Sequence, residues 1–270
     1  SVQVLKGASA AALWGSKAAN GVIVITTKQG QSGDAKITFS STYSFDEISE
    51  RISRQNVWGQ GQNGVYSSST AESWGDYIPD RAGGPDTVDT SGGFFTSQDG
   101  TAYYPITTKN SQQTFIEENF NAAFQTGTFW QNNLNISGGN DKNTYFFSLS
   151  NLQQEGIIRG SDYDRTNIRF NYNAELNDWM SLSNKVAYTY TNSNLTQGNS
   201  NVGGILLGHL RTPADFDNRD YIGTYTSSSG EEFTRRHRSY RRSLGNNENP
   251  IYNNPIWTTK EQLSLNQVNR

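Results

Sequence analysis

The sequence predicts a mainly β fold whose strands are long enough to cross a membrane. Apolar and polar residues alternate over segments of about 10–14 residues, whereas strands of globular sheets usually have about 5–6. The two faces of these segments differ sharply in polarity, and the connections between them alternate between long and short. Because about 9–11 tilted residues span a bilayer, these features are typical of a transmembrane barrel with long external loops and short internal turns.

Composition narrows the function. The net charge of −3 argues against a general affinity for nucleic acid. The chain has no cysteine, which excludes disulfide bonds, thiol nucleophiles and cysteine-based metal sites. It shows neither a signal peptide nor a run of 18 apolar residues, so we expect no transmembrane helix.

Residues 4–28 read VLKGASAAALWGSKAANGVIVITTK. The Ala-rich run over residues 7–13 favours one short helix, and Gly15 is placed to end it. Asn20-Gly21 predicts a turn, and residues 22–25 are predicted to form a short buried strand. Taken alone, this segment is typical of the end of any soluble α/β domain.

Five alternating segments then predict strands near residues 35–45, 129–138, 143–153, 164–176 and 180–191. In the fourth, even positions carry Ile168 and Phe170, whereas odd positions carry Arg165, Arg169 and Glu175. An apolar core would not accept such a polar face unpaired, whereas a water-filled lumen would. Long external loops are expected near residues 46–128 and 192–260, and a sixth strand could begin after residue 260.

Side-chain parity predicts two β-hairpins. Placing Leu176 opposite Met180, or Ser137 opposite Thr144, brings mostly apolar side chains onto the same face of each pair. A slip of one residue would destroy this agreement. Five strands do not close a barrel, since single-chain bacterial barrels have about eight or more. If the barrel prediction holds, we therefore expect the chain to be a fragment of a longer protein.

The opening segment closely resembles the last part of the plug domain of SusC/RagA-type TonB-dependent outer-membrane transporters. The family pattern has Tyr where this chain has Trp14, and Arg where it has Lys17. Residues 124–158 are similar to the second and third barrel strands of the family. Residues 210–217 and 248–257 resemble parts of its third external loop.

This resemblance covers nearly the whole chain and implies a fragment of a large plugged transmembrane antiparallel β-barrel. The C-terminal helix and strand of an α/β plug would occupy residues 1–30, and the N-terminal part of the barrel would occupy residues 31–270. The plug motif would be structural and would contain Gly7, Trp14, Gly15, Asn20 and Gly21.

The implied function is TonB-dependent import of an oligosaccharide or oligopeptide across the outer membrane of a Gram-negative bacterium. The implied partners are a SusD-like lipoprotein lid, the TonB complex, and outer-membrane lipid including lipopolysaccharide. The TonB complex would act through the N-terminal part of the protein. The resemblance implies no cofactor and no enzymatic chemistry. The rival function is a surface-exposed β-rich binding or adhesion module, in which a second sheet would cover Phe170, Tyr172 and Tyr188. A truncated product without transport activity is a third alternative.

Two motifs suggest functions other than nutrient import. Gly59, Gly61 and Gly64 form a G-x-G-x-x-G pattern, but residues 66–70 do not predict the helix that a dinucleotide loop requires, so an external loop is favoured. Asp215, Asp217 and Asp220 hint at a calcium loop, but Arg219 occupies a ligand position, so we expect no metal site.

Residues 235–242, RRHRSYRR, predict either a solvated external loop or a contact with lipopolysaccharide phosphates or an acidic partner. The chain has two histidines, His209 and His237, and neither lies near a Ser or Cys nucleophile signature. The sequence therefore identifies no catalytic residue.

Two sets of residues are candidates for contacts. Trp58, Tyr66, Trp74 and Tyr77 lie in the first long loop, where they could contact substrate or a lid protein, or pack the loop on itself. The polar-face residues Arg165, Arg169 and Glu175 are expected to face the lumen or plug, where they would pair with the plug or neighbouring strands or contact substrate.

Overall fold

The computed structural model describes residues 1–6, 12, 14–18, 20–196, 200–246 and 254–270. These residues contain strands β1 Val2–Leu5, β2 Val22–Ile25, β3 Gly33–Asp46, β4 Gly61–Gln62, β5 Val65–Tyr66, β6 Thr87–Val88, β7 Phe94–Ser97, β8 Ala102–Tyr103, β9 Ile106–Thr108, β10 Gly127–Gly139, β11 Asn143–Glu155, β12 Asp162–Asn177, β13 Met180–Asn194, β14 Ile222–Thr226, β15 Glu232–His237 and β16 Leu265–Asn269. They also contain helices α1 Ile116–Ala123, α2 Ile205–Arg211 and α3 Pro255–Glu261, and 3-10 turns at Ser16–Ala18 and Ile78–Asp80.

One six-stranded antiparallel sheet dominates the fold. Its strands follow one another in chain order, from β3 through β10, β11, β12 and β13 to β16. The first five are the strands that alternation predicts, each longer by a few residues, and β16 is the sixth strand after residue 260. Each strand therefore pairs with the one before it, as in an up-and-down barrel wall.

The register of the β12–β13 hairpin agrees with the parity prediction. Phe170 lies opposite Val186, although a bulge near the turn places Asn177, instead of Leu176, opposite Met180. The predicted register of β10–β11 is wrong by two residues, because Ser137 lies opposite Phe146.

The wrong register has a local cause. Gly138 and Gly139 continue the strand, so the turn is shorter than the predicted residues 138–143. Asn140 closes it: its side-chain Oδ1 accepts hydrogen bonds from the backbone N–H groups of Lys142 and Asn143, each at 2.9 Å. Since the shift is even, every side chain keeps its predicted face.

The apolar face of the sheet is exposed. Ile168, Phe170 and Tyr188 are 40%, 42% and 45% exposed. No second sheet within the described ranges covers this face, in contrast to the arrangement expected for an adhesion-type sandwich. Among the same residues, no helix is long and apolar enough to cross a membrane.

The N-terminal segment forms a two-stranded sheet. β2 pairs antiparallel with β1, a strand that the sequence pattern did not reveal. The prediction that β2 is buried is wrong here, because Ile23 and Ile25 are 65% and 68% exposed and two strands alone cover neither face. The turn at Asn20-Gly21 is confirmed, with a φ of +101° at Gly21. Most of the predicted helix over residues 7–13, including Gly7, lies outside the described residues.

The described parts of the two long connections are folded. The first connection, residues 47–126, and the second connection, residues 195–264, share one four-stranded sheet in the order β15-β14-β7-β8. In that sheet β14 of the second connection pairs with β7 of the first. Ala123, Phe124 and Ile205 form an apolar cluster between α1 and α2. We call this folded pair of connections the connection layer.

Candidate functional site

The polar face of the sheet meets the segment that leads out of the N-terminal strands. Asn171 of β12 is 3% exposed and donates a hydrogen bond from Nδ2 to the backbone oxygen of Lys28, at 3.0 Å. Because β12 side chains alternate, Arg165, Arg169 and Glu175 lie on the same face as Asn171. Arg165 and Arg169 are half-buried and Glu175 is exposed.

The four aromatic candidates of the first connection have different environments. Trp58 and Tyr77 pack edge to face, with ring centroids 5.2 Å apart. Tyr66 is half-buried and has the cationic groups of Arg81 and Lys109 each 5.9 Å from its ring centre. Trp74 is 64% exposed. Three of these residues therefore pack the connection on itself, and Trp74 presents a free aromatic face.

The glycine-rich stretch is not a dinucleotide loop. Gly61 and Gly64 belong to a small hairpin formed by β4 and β5, and residues 67–77 directly after it form no helix. Gly59 has a packing role, because a Cβ there would lie 2.0 Å from Nη2 of Arg81 and 2.8 Å from Oδ1 of Asp76. Only a residue without a side chain fits beside this ion pair.

A buried ion cluster joins the two connections. Nε and Nη2 of Arg81 bind the two carboxylate oxygens of Asp76 at 2.7 and 2.6 Å, and Nη2 also donates to Asp215 at 2.8 Å. The side chains of Arg81 and Asp215 are only 2% and 1% exposed. Although burial alone would lower it, these hydrogen bonds raise the pKa of Arg81. The backbone N–H of Gln60 also donates a hydrogen bond to Oδ1 of Asp215, at 3.1 Å.

The aspartates that hinted at calcium each have a protein partner. Asp215 binds Arg81, Asp217 pairs with Arg219 at 2.7 Å, and Asp220 accepts a hydrogen bond from the Tyr103 hydroxyl. The described part of the chain contains no group of three acidic or histidine residues that could hold a metal ion.

The arginine-rich segment is solvated only in part, because Arg235 is exposed whereas the residues after it become buried. Arg238 and Arg242 are 7% and 9% exposed. The Arg238 guanidinium lies 3.9 Å from the ring centre of Tyr103 and 4.4 Å from that of Phe216, and Nη1 donates to the Asp217 backbone oxygen at 2.8 Å. The Arg238 cation is thus stabilised inside the protein by cation–π contacts and by hydrogen bonds to carbonyl oxygens. Phosphates cannot reach it there.

Three buried asparagines complete the connection layer, and sequence reasoning missed them. Asn119 donates to the Phe216 backbone oxygen at 2.7 Å and accepts from the Asn218 N–H at 2.8 Å. Asn254 donates to the backbone oxygens of Asn218 and Arg238, both at 2.9 Å. Its Oδ1 also accepts from the N–H of Ile256 and caps α3. The only sequence signal was Asn254-Pro255, a typical helix start.

Both histidine rings pack against aromatic rings. His237 stacks on Trp257 with ring centroids 4.9 Å apart, and its Nε2 lies 2.8 Å from Nη2 of Arg242. His209 is 3% exposed and lies edge-on to Phe120 and Phe124. Burial, followed by nearby arginine charges, lowers the pKa of each histidine to about 4.

The chain is similar in sequence to proteins named as TonB-dependent receptors. TonB-dependent receptor P39 of Formosa agariphila is 26% identical over 259 residues, which are 95% of this chain and 21% of that protein. TonB-dependent receptor SusC of Bacteroides thetaiotaomicron is 28% identical over 163 residues, 60% of this chain and 13% of that protein. The chain thus spans about a fifth of the length of P39.

The fold has a solved counterpart. The RagAB peptide importer in its closed-closed state matches with a TM-score of 0.55 at 23% identity, over 81% of this chain and 25% of that one. No family model matches the chain. Its homologues are therefore TonB-dependent receptors, and its fold is that of part of a TonB-dependent barrel transporter.

Proposed function

We propose that this chain, a homologue of part of the TonB-dependent receptors, supplies one sector of the barrel wall of a nutrient importer in the outer membrane of a Gram-negative bacterium. The observation that carries the proposal is the division of the six-stranded sheet into an exposed apolar face and a polar face. Lipid, including lipopolysaccharide, contacts the apolar face, and the polar face lines a water-filled interior.

Within that barrel, residues 1–30 are the end of the plug and residues 31–270 belong to the wall. The hydrogen bond from Asn171 to Lys28 supports this division, because it holds the exit of the N-terminal segment against the polar face. Arg165, Arg169 and Glu175 on the same face then point toward the lumen or plug. The TonB complex acts on the plug to open a path along this face.

The nutrient is an oligosaccharide or an oligopeptide, and a SusD-like surface lipoprotein lies over the connection layer. The RagAB neighbour, a peptide importer, supports this class of cargo. The exposed ring of Trp74 offers an aromatic face for the lid or for a sugar ring. The chain imports its nutrient without chemical change, in keeping with homologues that are receptors.

Membrane placement can be tested with single cysteines, since this chain has none. In the full-length protein, reconstituted in outer-membrane lipid and freed of any other cysteine, a spin label is placed at Phe170→Cys or, as the matched control one residue away, at Arg169→Cys. We expect the Phe170 label to collide with dissolved oxygen and the Arg169 label with a water-soluble nickel complex. A Phe170 label shielded from both reagents would instead indicate a covering sheet and an adhesion module.

Import is tested separately in cells. Cells that produce the full-length protein, with or without a functional TonB complex, are given fluorescent oligopeptides or labelled oligosaccharides. We expect one class to accumulate inside the outer membrane only when TonB is functional. Surface binding without accumulation would contradict import and favour the binding module.

A further inference from the structure

A cavity of about 870 Å³ lies where residues 48–56 pass α1 and α2. Its apolar wall includes Ile48, Phe120, Phe124, Ile158 and Leu206. A volume of this order falls within the range of about 300–1,000 Å³ that is typical of small-molecule sites. The mostly apolar lining suits an apolar ligand body.

One cation at this cavity lacks a counter-charge. The Arg54 side chain donates from Nη2 to the backbone oxygen of Thr212, whereas its buried Nη1 has no partner. No carboxylate of the described residues forms an ion pair with Arg54. Burial lowers the pKa of Arg54, which reflects the cost of an unpaired charge away from water.

The second unsatisfied polar group is on His209. Its ring is 3% exposed and its Nδ1 has no hydrogen-bond partner. Phe120 and Phe124 hold the ring by edge contacts, with centroid distances of 5.5 and 5.8 Å. Burial and the charges of Arg54 and Arg51 lower the pKa of His209 to about 4, so the imidazole is neutral at pH 7 and Nδ1 can carry a proton to donate.

The acidic residues around the cavity do not neutralise Arg54. Glu117 pairs with Arg51 at 2.8 Å, and the Arg51 guanidinium lies 3.7 Å from the ring centre of Phe120. Glu50 and Glu118 also line the cavity, without an ion pair to either arginine. Arg54 is thus the arginine of this cavity that forms no ion pair with a carboxylate of the described residues.

We propose that this cavity binds a carboxylate that carries an apolar body. The carboxylate pairs with Nη1 of Arg54 and accepts a hydrogen bond from Nδ1 of His209, and the apolar body packs on Phe124 and Leu206. One arginine and one neutral donor match a single negative charge better than a doubly charged phosphate. The free end of a peptide and a fatty acid share this chemistry. Binding at this cavity is separate from nutrient import and does not depend on it.

The test is calorimetric titration of the purified full-length protein in lipid nanodiscs. The probes are N-acetyl-leucyl-leucine and hexanoate, each compared with its primary amide. We expect at least one acid to bind at least about tenfold more tightly than its amide. Binding of the peptide acid alone would identify a peptide end as the ligand, and binding of hexanoate alone a fatty acid. Acids that bind no better than their amides would overturn the proposal.

Variants separate the site from general effects. We expect Arg54→Gln to weaken acid binding about 10- to 100-fold and leave the amide unchanged. Arg235→Gln is the matched control, because Arg235 is exposed and pairs with Glu261 in the same layer. Equal effects of the two variants would contradict the proposal.

A cavity-filling variant distinguishes loss of the site from loss of the fold. Leu206→Trp leaves Arg54 and His209 unchanged, and we expect it to abolish binding of the acid at an unchanged melting temperature. Undiminished binding in this variant would place the ligand elsewhere. Since import is measured as TonB-dependent uptake and this site as binding to purified protein, either proposal can fail without the other.

Discussion

Arg81 and Asp215 are 134 residues apart in the sequence, yet Nη2 of Arg81 lies 2.8 Å from Oδ2 of Asp215, and both side chains are buried. Arg81 belongs to the first long connection and Asp215 to the second. Their ion pair therefore fastens together two segments that the six-stranded sheet separates along the chain.

Removing the charge of Asp215 should loosen the connection layer. Asp215→Asn leaves Arg81 partly uncompensated in a buried place, which should lower the free energy of unfolding by about 3–5 kcal/mol. Hydrogen exchange of residues 57–82 in the full-length protein measures this. Asp217→Asn is the control, because its partner Arg219 is half exposed and an exposed pair contributes about 0–1 kcal/mol. Equal hydrogen-exchange protection in the two variants would argue against a stabilising role of the buried Arg81–Asp215 ion pair.

Gly59→Ala should disturb the same ion cluster from the backbone side. Its Cβ would lie 2.0 Å from Nη2 of Arg81, whose position two carboxylates hold. We expect a loss of about 1–3 kcal/mol, as for overpacking in a dense core. Gly92→Ala provides the comparison, since its nearest neighbour would be 3.6 Å away. A melting temperature of Gly59→Ala equal to that of Gly92→Ala would refute this prediction.

Two substitutions at Asn254 should divide its two roles. Asn254→Asp keeps the acceptor that caps α3 but loses the donors to the backbone oxygens of Asn218 and Arg238. Asn254→Ala loses both, and a cap alone contributes about 1 kcal/mol. We expect both variants to melt lower than the parent, and only the alanine variant to lose protection at the first turn of α3 in hydrogen exchange. Loss of that protection in both would mean that the cap depends on the donors.

Phe170→Arg should impair insertion into lipid. The side chain lies mid-strand on the apolar face, where an arginine costs about 2–4 kcal/mol at the membrane midplane. Ser150→Arg places the same residue on the polar face of β11, where water would surround it. Folding yield of the full-length protein into lipid vesicles should fall for the first variant only. Equal yields would count against a membrane-facing sheet.

The connection layer should loosen in mild acid. The pKa of His209 and of His237 is about 4 in the folded chain, against 6.5 for a free histidine. Between these values the unfolded chain binds more protons, so stability is complete above about pH 6.5 and falls toward pH 4, by up to about 3 kcal/mol per histidine. Arg51 and Arg54 act on His209, and Arg236 and Arg242 act on His237.

Melting temperatures at pH 7.0, 5.5 and 4.5 would measure this loss. His237→Gln keeps a polar group beside Arg242 but does not titrate, so its melting temperature should fall less with pH than that of the parent. An identical slope would exclude His237 as a source of acid sensitivity.

Local sequence patterns predicted the strands because side-chain direction in a strand repeats every two residues. The opposition of Phe170 and Val186 followed from parity alone. The β10–β11 register did not, because two neighbouring glycines suggested a turn where the strand continues to Gly139. Parity does not distinguish registers that differ by two residues, so this error could not be detected from the pattern.

The candidate sites were harder to predict. Trp58, Tyr66, Trp74 and Tyr77 look alike in sequence, and the fold alone gives Trp74 an exposed ring and Tyr66 a half-buried one. The arginine-rich segment has the composition of a solvated loop, yet Arg238 lies between two aromatic rings. No residue near Arg238 in the chain indicates its contact with Tyr103, because Tyr103 lies in the first connection and Arg238 in the second.

The sequence by itself determined which residues form the sheet and which face of it is apolar, because both depend on a period of two along a single strand. The tertiary structure decided what the long connections are. Their stability comes from buried polar groups such as Arg81 and Asn119, whose partners Asp215 and Phe216 lie in a distant segment. A buried charge or amide is stable only beside its partner, and that proximity arises only when the chain has folded.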